Sequence, residues 1–179
     1  MSKKLVVVIT GVTCGGKTTI SDHLKNAFDN ISILHQDDFY YTDYDERLEK
    51  IPELNYHMWD TINAYNMNQM MTSIESQKSH ILVLEGINLF DDTRILKLAD
   101  LSFFIVMNKS DCLERRIART YLPPEPAGYF EKYAWPEYEK YLTRIKEKEF
   151  NNIIFLNGSD SINYNVTVVV NHIHQQLLK

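Results

Sequence analysis

Residues 11–19, Gly-Val-Thr-Cys-Gly-Gly-Lys-Thr-Thr, follow a short apolar run and precede a segment with helical spacing. Gly11-x-x-x-x-Gly16-Lys17-Thr18 between a strand and a helix is the P-loop pattern. The backbone N–H groups of Gly15, Gly16, Lys17 and Thr18 are expected to point into one concavity at a helix N-terminus. Hydrogen bonds and the helix dipole stabilise a di- or triphosphate there. Lys17 is expected to reach the β- and γ-phosphates, and the Thr18 hydroxyl to bind Mg²⁺. The dinucleotide pattern G-x-G-x-x-G fails, because Thr13 takes its second glycine position. Cys14 is read as a tolerated small residue in the loop.

A nucleoside triphosphate leaves two fates open, transfer of the γ-phosphoryl group or its hydrolysis. "FIVMNKSD" puts Asn108-Lys109-Ser110-Asp111 after a strand, the guanine-reading pattern of a GTPase switch. That reading also needs Asp-x-x-Gly after the preceding strand, where this chain has Glu85-Gly86. A helix cap at Ser110 or Asp111 is the plainer use of these residues. Transfer is favoured by carboxylates at strand ends. Asp37 and Asp38, in "HQDDFY", follow the second strand, and ligands of open α/β sheets gather outside such ends. A carboxylate there can take the proton of an attacking hydroxyl and help organise Mg²⁺. Asp37 is preferred over Asp38, since neighbours on an extended chain point opposite ways. Glu85 closes the third strand after four apolar residues. A charge so placed needs a partner, and Mg²⁺ or its water serves.

The elements that position these groups alternate between strand and helix. Strands are expected at 5–10, 31–34, 81–84, 101–107 and 152–156. A helix is expected at 17–28. Asp60 is read as capping a helix with Met67, Met70, Met71 and Ile74 on one face. Asp91 or Asp92 starts a short helix to Leu98. In "SDCLERRIARTY", Leu113, Ile117 and Tyr121 recur every four residues, so Leu113 and Ile117 are expected to face the core. Arg115, Arg116 and Arg119 then project from the other flanks, Arg115 and Arg119 sharing a face. A helix over 135–150 is expected to begin with Pro136 at a tolerated first position. "VTVVV" has strand propensity, but Ile162, Val166, Val169, Val170, Ile173 and Leu177 keep helical spacing, and periodicity over that length prevails. The pattern predicts a three-layer α/β P-loop NTPase fold with a five-stranded parallel sheet, helices on both faces and a small lid. The lid is placed at about 115–130, where prolines stiffen "YLPPEPAGYF" and Gly128 lets it bend. It would bring arginines to the phosphates and exclude water.

The 179 residues allow one domain, 1–179. The net charge of −5 gives no overall basic field for nucleic acid or an anionic membrane. No apolar run approaches the ~20 residues of a membrane span. The basic start leads into a strand and not a signal peptide. Cys14 and Cys112 have no metal-ligand spacing, so reduced thiols in the cytoplasm are expected.

Together, "GVTCGGKTT", "QDDFY", "WDTINAYNMNQMM", "ILVLEGINLF" and "RRIARTYLPPEPAGYFEKYAWPEYEKY" resemble the nicotinamide riboside kinases, P-loop nucleoside kinases whose relatives include uridine kinases. The resemblance spans nearly the whole chain. It implies ATP as phosphoryl donor, Mg²⁺ as cofactor, a small nucleoside as acceptor, and a monomer or weak homo-oligomer. It implies that Lys17, Asp37 and Arg116 are catalytic, Asp37 being the base for the ribose 5′-hydroxyl. Thr18, Asp37 and Glu85 would serve the metal. ATP would lie against Gly11, Val12, Thr13, Cys14, Gly15, Gly16, Lys17, Thr18 and Thr19, with Arg115, Arg119 and Tyr121. Asp160 and Ser161, after the fifth strand, would line the adenine. The acceptor would meet Asp37, Asp38, Phe39 and Tyr40, with Tyr121 and Leu122 from the lid. Asp60 would hold the ribose hydroxyls with support from Arg116, and Trp59 and Tyr121 would sandwich the base. The family usually has tyrosine at position 59, so the aromatic face is kept. A uridine or cytidine kinase of the same architecture is the nearest rival.

Overall fold

A computed structural model of the chain describes residues 4–42, 45–147 and 152–179. Seven strands and six α-helices follow in chain order: β1 (Leu5–Gly11), α1 (Lys17–Ala27), β2 (Ile31–His35), β3 (Lys50–Ile51), β4 (Tyr56–His57), α2 (Met67–Ser76), β5 (Ile81–Glu85), α3 (Thr93–Leu98), β6 (Leu101–Val106), α4 (Lys109–Ile117), α5 (Trp135–Glu147), β7 (Ile153–Asn157) and α6 (Ile162–Leu177). Five strands form one parallel sheet in the order β2-β5-β1-β6-β7. The central β1 is buried along its whole length. Successive side chains of a strand point to opposite faces, so its unbroken apolar run feeds two cores. Val7 and Ile9 pack in one with Ile20 and Leu24 of α1 and Val169 and Ile173 of α6. Val6 and Val8 pack in the other with Met70 and Ile74 of α2, Ile95 of α3, and Tyr141 and Ile145 of α5. The three-layer expectation holds, and the helical spacing of the last segment prevails over its strand propensity.

Four local expectations are corrected. Asp60 does not cap α2. Asn66 does, accepting from the Gln69 N–H at 3.1 Å, and Asp60 is engaged elsewhere. In α4 the buried positions are Cys112 and Arg116, while Ile117 is 75% exposed. The helix stops at Ile117, so Tyr121 lies in the loop beyond it. The apolar spacing misled here because Arg116 buries a charge whose partners come from distant parts of the chain. Pro136 is not at the start of its helical segment, since a π-helical turn, Phe130–Ala134, runs directly into α5. The Trp135 N–H donates to the Phe130 carbonyl in the wider i→i+5 pattern. The end of the expected helix, 148–150, lies outside the described residues. Finally, Asn108 caps α4, rather than Ser110 or Asp111, accepting from the Asp111 N–H at 2.9 Å and the Ser110 hydroxyl at 2.7 Å. The guanine-reading pattern is therefore spent on a helix start, with Asp111 also receiving a bond from the Ser159 hydroxyl at 2.5 Å.

β1 ends where the backbone must pass very close to β6. Gly11 has φ +119°, and a Cβ there would sit 2.3 Å from the Ile105 carbonyl oxygen. Gly11→Ala is expected to cost about 3 kcal/mol, combining backbone strain with overpacking against main chain that cannot move aside. Thermal unfolding should show Tm falling by about 6–12 °C. An unchanged Tm would contradict this account of the strand end.

Candidate active site

The carboxyl ends of β1, β2 and β5 open into a cavity of about 570 Å³. Its floor is Thr13 to Thr19. Gly16 adopts a left-handed conformation, φ 92°, and starts α1 with no side-chain cap. The first-turn N–H groups of α1 are thus left to whatever occupies the cavity. Lys17 is buried, and its ammonium donates to the Val12 carbonyl at 2.8 Å and the Gly11 carbonyl at 3.4 Å. Burial pulls its pKa down, and the nearby Glu85 and Asp37 carboxylates oppose that pull. An arriving phosphate would offer this ammonium the counter-charge that carbonyl oxygens only approximate.

Glu85 ends β5 in a buried position. Its Oε2 accepts from the Thr18 hydroxyl at 3.1 Å and lies 2.7 Å from His35 Nδ1. Asp37 stands on the single 3₁₀ turn after β2, with its side chain open to the cavity. Desolvation by the surrounding protein and the Glu85 carboxylate raise its pKa, against the pull of Lys17 and Arg119. Among the described residues no group of three or more His, Cys, Asp or Glu side chains could hold a metal by itself. Mg²⁺ keeps several waters and takes one or two carboxylates plus phosphate oxygens rather than a full protein cage. Thr18, Asp37 and Glu85, which line the cavity together, are the residues that would meet such an ion.

The opposite wall is aromatic and centred on Asp60. The Tyr129 hydroxyl donates to Asp60 Oδ2 at 2.8 Å and receives the Trp59 N–H at 2.9 Å. Tyr40 packs edge-on to Trp59 at 5.5 Å between ring centres, and Tyr56 does so at 6.4 Å. Arg116, only 5% exposed, reaches Asp60 at 3.3 and 3.4 Å, and Glu125 of the loop after α4 at 2.5 to 3.1 Å. Burial alone would lower its pKa, but Asp60 and Glu125 outweigh it and raise the value, so Arg116 is a permanent cation. Its guanidinium also lies 5.1 Å from the Tyr121 ring centre. The loop after α4 borders the cavity, where Tyr121, Leu122, Pro123 and Glu125 line it. The Tyr56 hydroxyl, on the short β3–β4 hairpin, donates to the Pro123 carbonyl at 3.3 Å and ties hairpin to loop. Arg115 reaches the Cys14 carbonyl at 3.3 Å, and Arg119 lies 3.8 Å from its thiol.

Of the residues expected to bind ligand, the cavity lining brings together Thr13 to Thr19, Asp37, Tyr40, Trp59, Asp60, Glu85, Arg115, Arg116, Arg119, Tyr121 and Leu122. Others are placed elsewhere. Phe39 is buried in the second core, since the 3₁₀ turn rotates it inward beside the sheet. Asp38 is exposed and outside the lining. Gly11 and Val12 lie beneath the loop, Val12 wholly buried. Asp160 and Ser161 lie at the start of α6, which Ser161 caps. His35, Tyr56, Glu125 and Tyr129 were missed. His35, Glu125 and Tyr129 lie inside quoted motifs, but their partners Glu85, Arg116 and Asp60 come from other elements, which spacing along the chain does not report. Tyr56 needs the hairpin, whose two-residue strands are too short for any periodicity.

The profile of the AAA domain family matches residues 7–136. Nicotinamide riboside kinase 1 of Rattus norvegicus is 30% identical, over 99% of this chain and 97% of the rat protein. The chain belongs to the nicotinamide riboside kinase family. Nicotinamide riboside kinase 2 of Mus musculus is 29% identical, over 88% of this chain and 89% of the mouse protein. Among solved structures, thymidylate kinase from Candida albicans superimposes with a TM-score of 0.59 at 12% identity, covering 98% of this chain and 94% of that one. At that identity the likeness speaks for the fold alone, and this nicotinamide riboside kinase family member shares its parallel sheet flanked by helices. No helix among the described residues is long and apolar enough to cross a membrane.

Proposed function

We propose that this protein transfers the γ-phosphoryl group of ATP to the 5′-hydroxyl of nicotinamide riboside, giving nicotinamide mononucleotide and ADP. The observation that carries the reading is one cavity with two unlike ends. At one end is an anion cradle of main-chain N–H groups and Lys17. At the other is an aromatic wall around a carboxylate, Asp60. Asp37 lies within the electrostatic reach of both, coupled to Lys17 and Glu85 and also to Asp60.

In this reading the loop N–H groups and Lys17 hold the β- and γ-phosphates. Asp60, fixed by Tyr129 and Arg116, accepts from the ribose hydroxyls. Trp59 offers its face to the pyridinium ring, whose positive charge is drawn to an aromatic face beyond ordinary stacking. Asp37 takes the hydroxyl proton as the 5′-oxygen forms its bond to phosphorus and the bond to the ADP oxygen breaks. Mg²⁺, bound near Thr18, Asp37 and Glu85, would neutralise charge on the β- and γ-oxygens. Arg115 and Arg119, from the loop side, are the cations available to the phosphates, because Arg116 is already shared by two carboxylates. Arg116 stays beside Asp60 on the riboside side, where the resemblance also put it, and Arg115 and Arg119 take the charge of the transferred group. Cys14 and Cys112 are free thiols, and a cytoplasmic setting belongs to the same proposal.

The test is a substrate panel with ATP and Mg²⁺: nicotinamide riboside, uridine, cytidine, and no acceptor. Turnover is expected with the riboside, far above the pyrimidine nucleosides and above ATP hydrolysis without acceptor. A higher kcat/KM for uridine, whose ring is uncharged, would replace the proposal with a pyrimidine nucleoside kinase. Acceptor-independent hydrolysis at the same rate would end it.

A further inference from the structure

The first residue of "HQDDFY" has no part in the chemistry above. His35 ends β2 directly beside Glu85 at the end of β5, the two strands pairing in parallel register. Its ring nitrogen Nδ1 lies 2.7 Å from Glu85 Oε2, the oxygen that also accepts from the Thr18 hydroxyl. The Glu85 side chain is 9% exposed and the His35 side chain 26% exposed. A carboxylate so buried takes its direction from its hydrogen-bond donors.

We propose that His35 is a positioning residue for the metal-facing carboxylate. Nδ1–H donates to Glu85 Oε2, Thr18 donates to the same atom, and the two donors fix the rotation of the carboxyl group. Oε1 would then be the oxygen left free to meet a hydrated Mg²⁺ ion. Outer donors of this kind orient the groups that meet a metal and tune its affinity. The role does not depend on the charge of the ring, because a neutral imidazole with its proton on Nδ1 makes the same bond. The inference rests on reading the loop at 11–18 as a cradle for ATP and Mg²⁺. It does not require any particular acceptor.

The test measures binding of a non-hydrolysable ATP analogue by calorimetry across a Mg²⁺ series and in EDTA. His35→Ala is expected to raise the Mg²⁺ concentration for half-maximal enhancement of binding by about 10-fold. Affinity in EDTA should be unchanged. His35→Asn can place an amide N–H where Nδ1–H stands, and should restore most of the loss. In a Glu85→Ala background, His35→Ala should add nothing. His35→Phe keeps the ring without the donor, and replaces the alanine variant if that one does not fold. The proposal is overturned if the Mg²⁺ dependence is unmoved, if asparagine behaves like alanine, or if the loss persists at full size without Glu85. Because no riboside is present, these outcomes are independent of the substrate panel.

Discussion

Asp37→Asn is expected to lower kcat by about 10²- to 10⁴-fold, the usual scale for losing a general base. Binding of a non-hydrolysable ATP analogue should survive, since the main-chain cradle and Lys17 are untouched. The same substitution is expected to stabilise the ligand-free protein. The fold raises the Asp37 pKa above its ordinary 3.8, through desolvation and then the Glu85 carboxylate. A carboxyl group with a raised folded-state pKa contributes stability that is complete below its unfolded-state value. That contribution is lost as pH rises through the folded-state value. Above the folded-state value the wild type has lost it, while asparagine carries no charge to be penalised. Tm should therefore be higher in the variant at pH above the raised value, with the difference shrinking in acid. For the wild type, kcat/KM should rise with pH through the raised pKa as the base loses its proton. Near-normal turnover in Asp37→Asn would remove the base assignment. A variant less stable than wild type across the whole pH range would remove the electrostatic account of this position.

Arg116→Met is expected to destabilise the protein by about 3 kcal/mol, because it strands two carboxylates around a buried site. For a chain of this size that corresponds to a Tm lower by about 6–12 °C. The effect should extend to function. Asp60 and Glu125 lose the cation between them, so the riboside wall and the covering loop are no longer tied. KM for the riboside should rise, while KM for ATP changes little. Arg116→Lys is not expected to rescue either property, since one ammonium cannot span both carboxylates as the planar guanidinium does. Removing the second carboxylate at the same time, as Arg116→Met with Glu125→Gln, should recover part of the lost stability. A Tm for Arg116→Met equal to that of wild type would show that the bridge carries no load. A rise in KM for ATP larger than that for the riboside would place Arg116 on the phosphates instead.

The sequence by itself determined the frame and the anion cradle. An apolar run as long as β1, entering Gly11 and then Gly16-Lys17-Thr18, has few ways to fold other than strand, tight turn and helix. Helical spacing in 162–177 outweighed a cluster of valines, because one buried face 16 residues long holds more apolar area than local β preference can offset. Asp37 and Glu85 were legible because a strand end fixes where the chain leaves the sheet. What only the tertiary structure decided is who partners whom across the cavity. Arg116 is buried although the spacing of Leu113 and Ile117 pointed the other way. Its face was set by Asp60, 56 residues earlier, and by Glu125, beyond the helix end. Asp60 likewise gave up a helix cap that Asn66 takes, and became the anchor of the aromatic wall through Tyr129. The physical reason is the same in each case. Local spacing reports the apolar area that an element can bury, whereas a buried charge goes where the folded chain brings its counter-charges together.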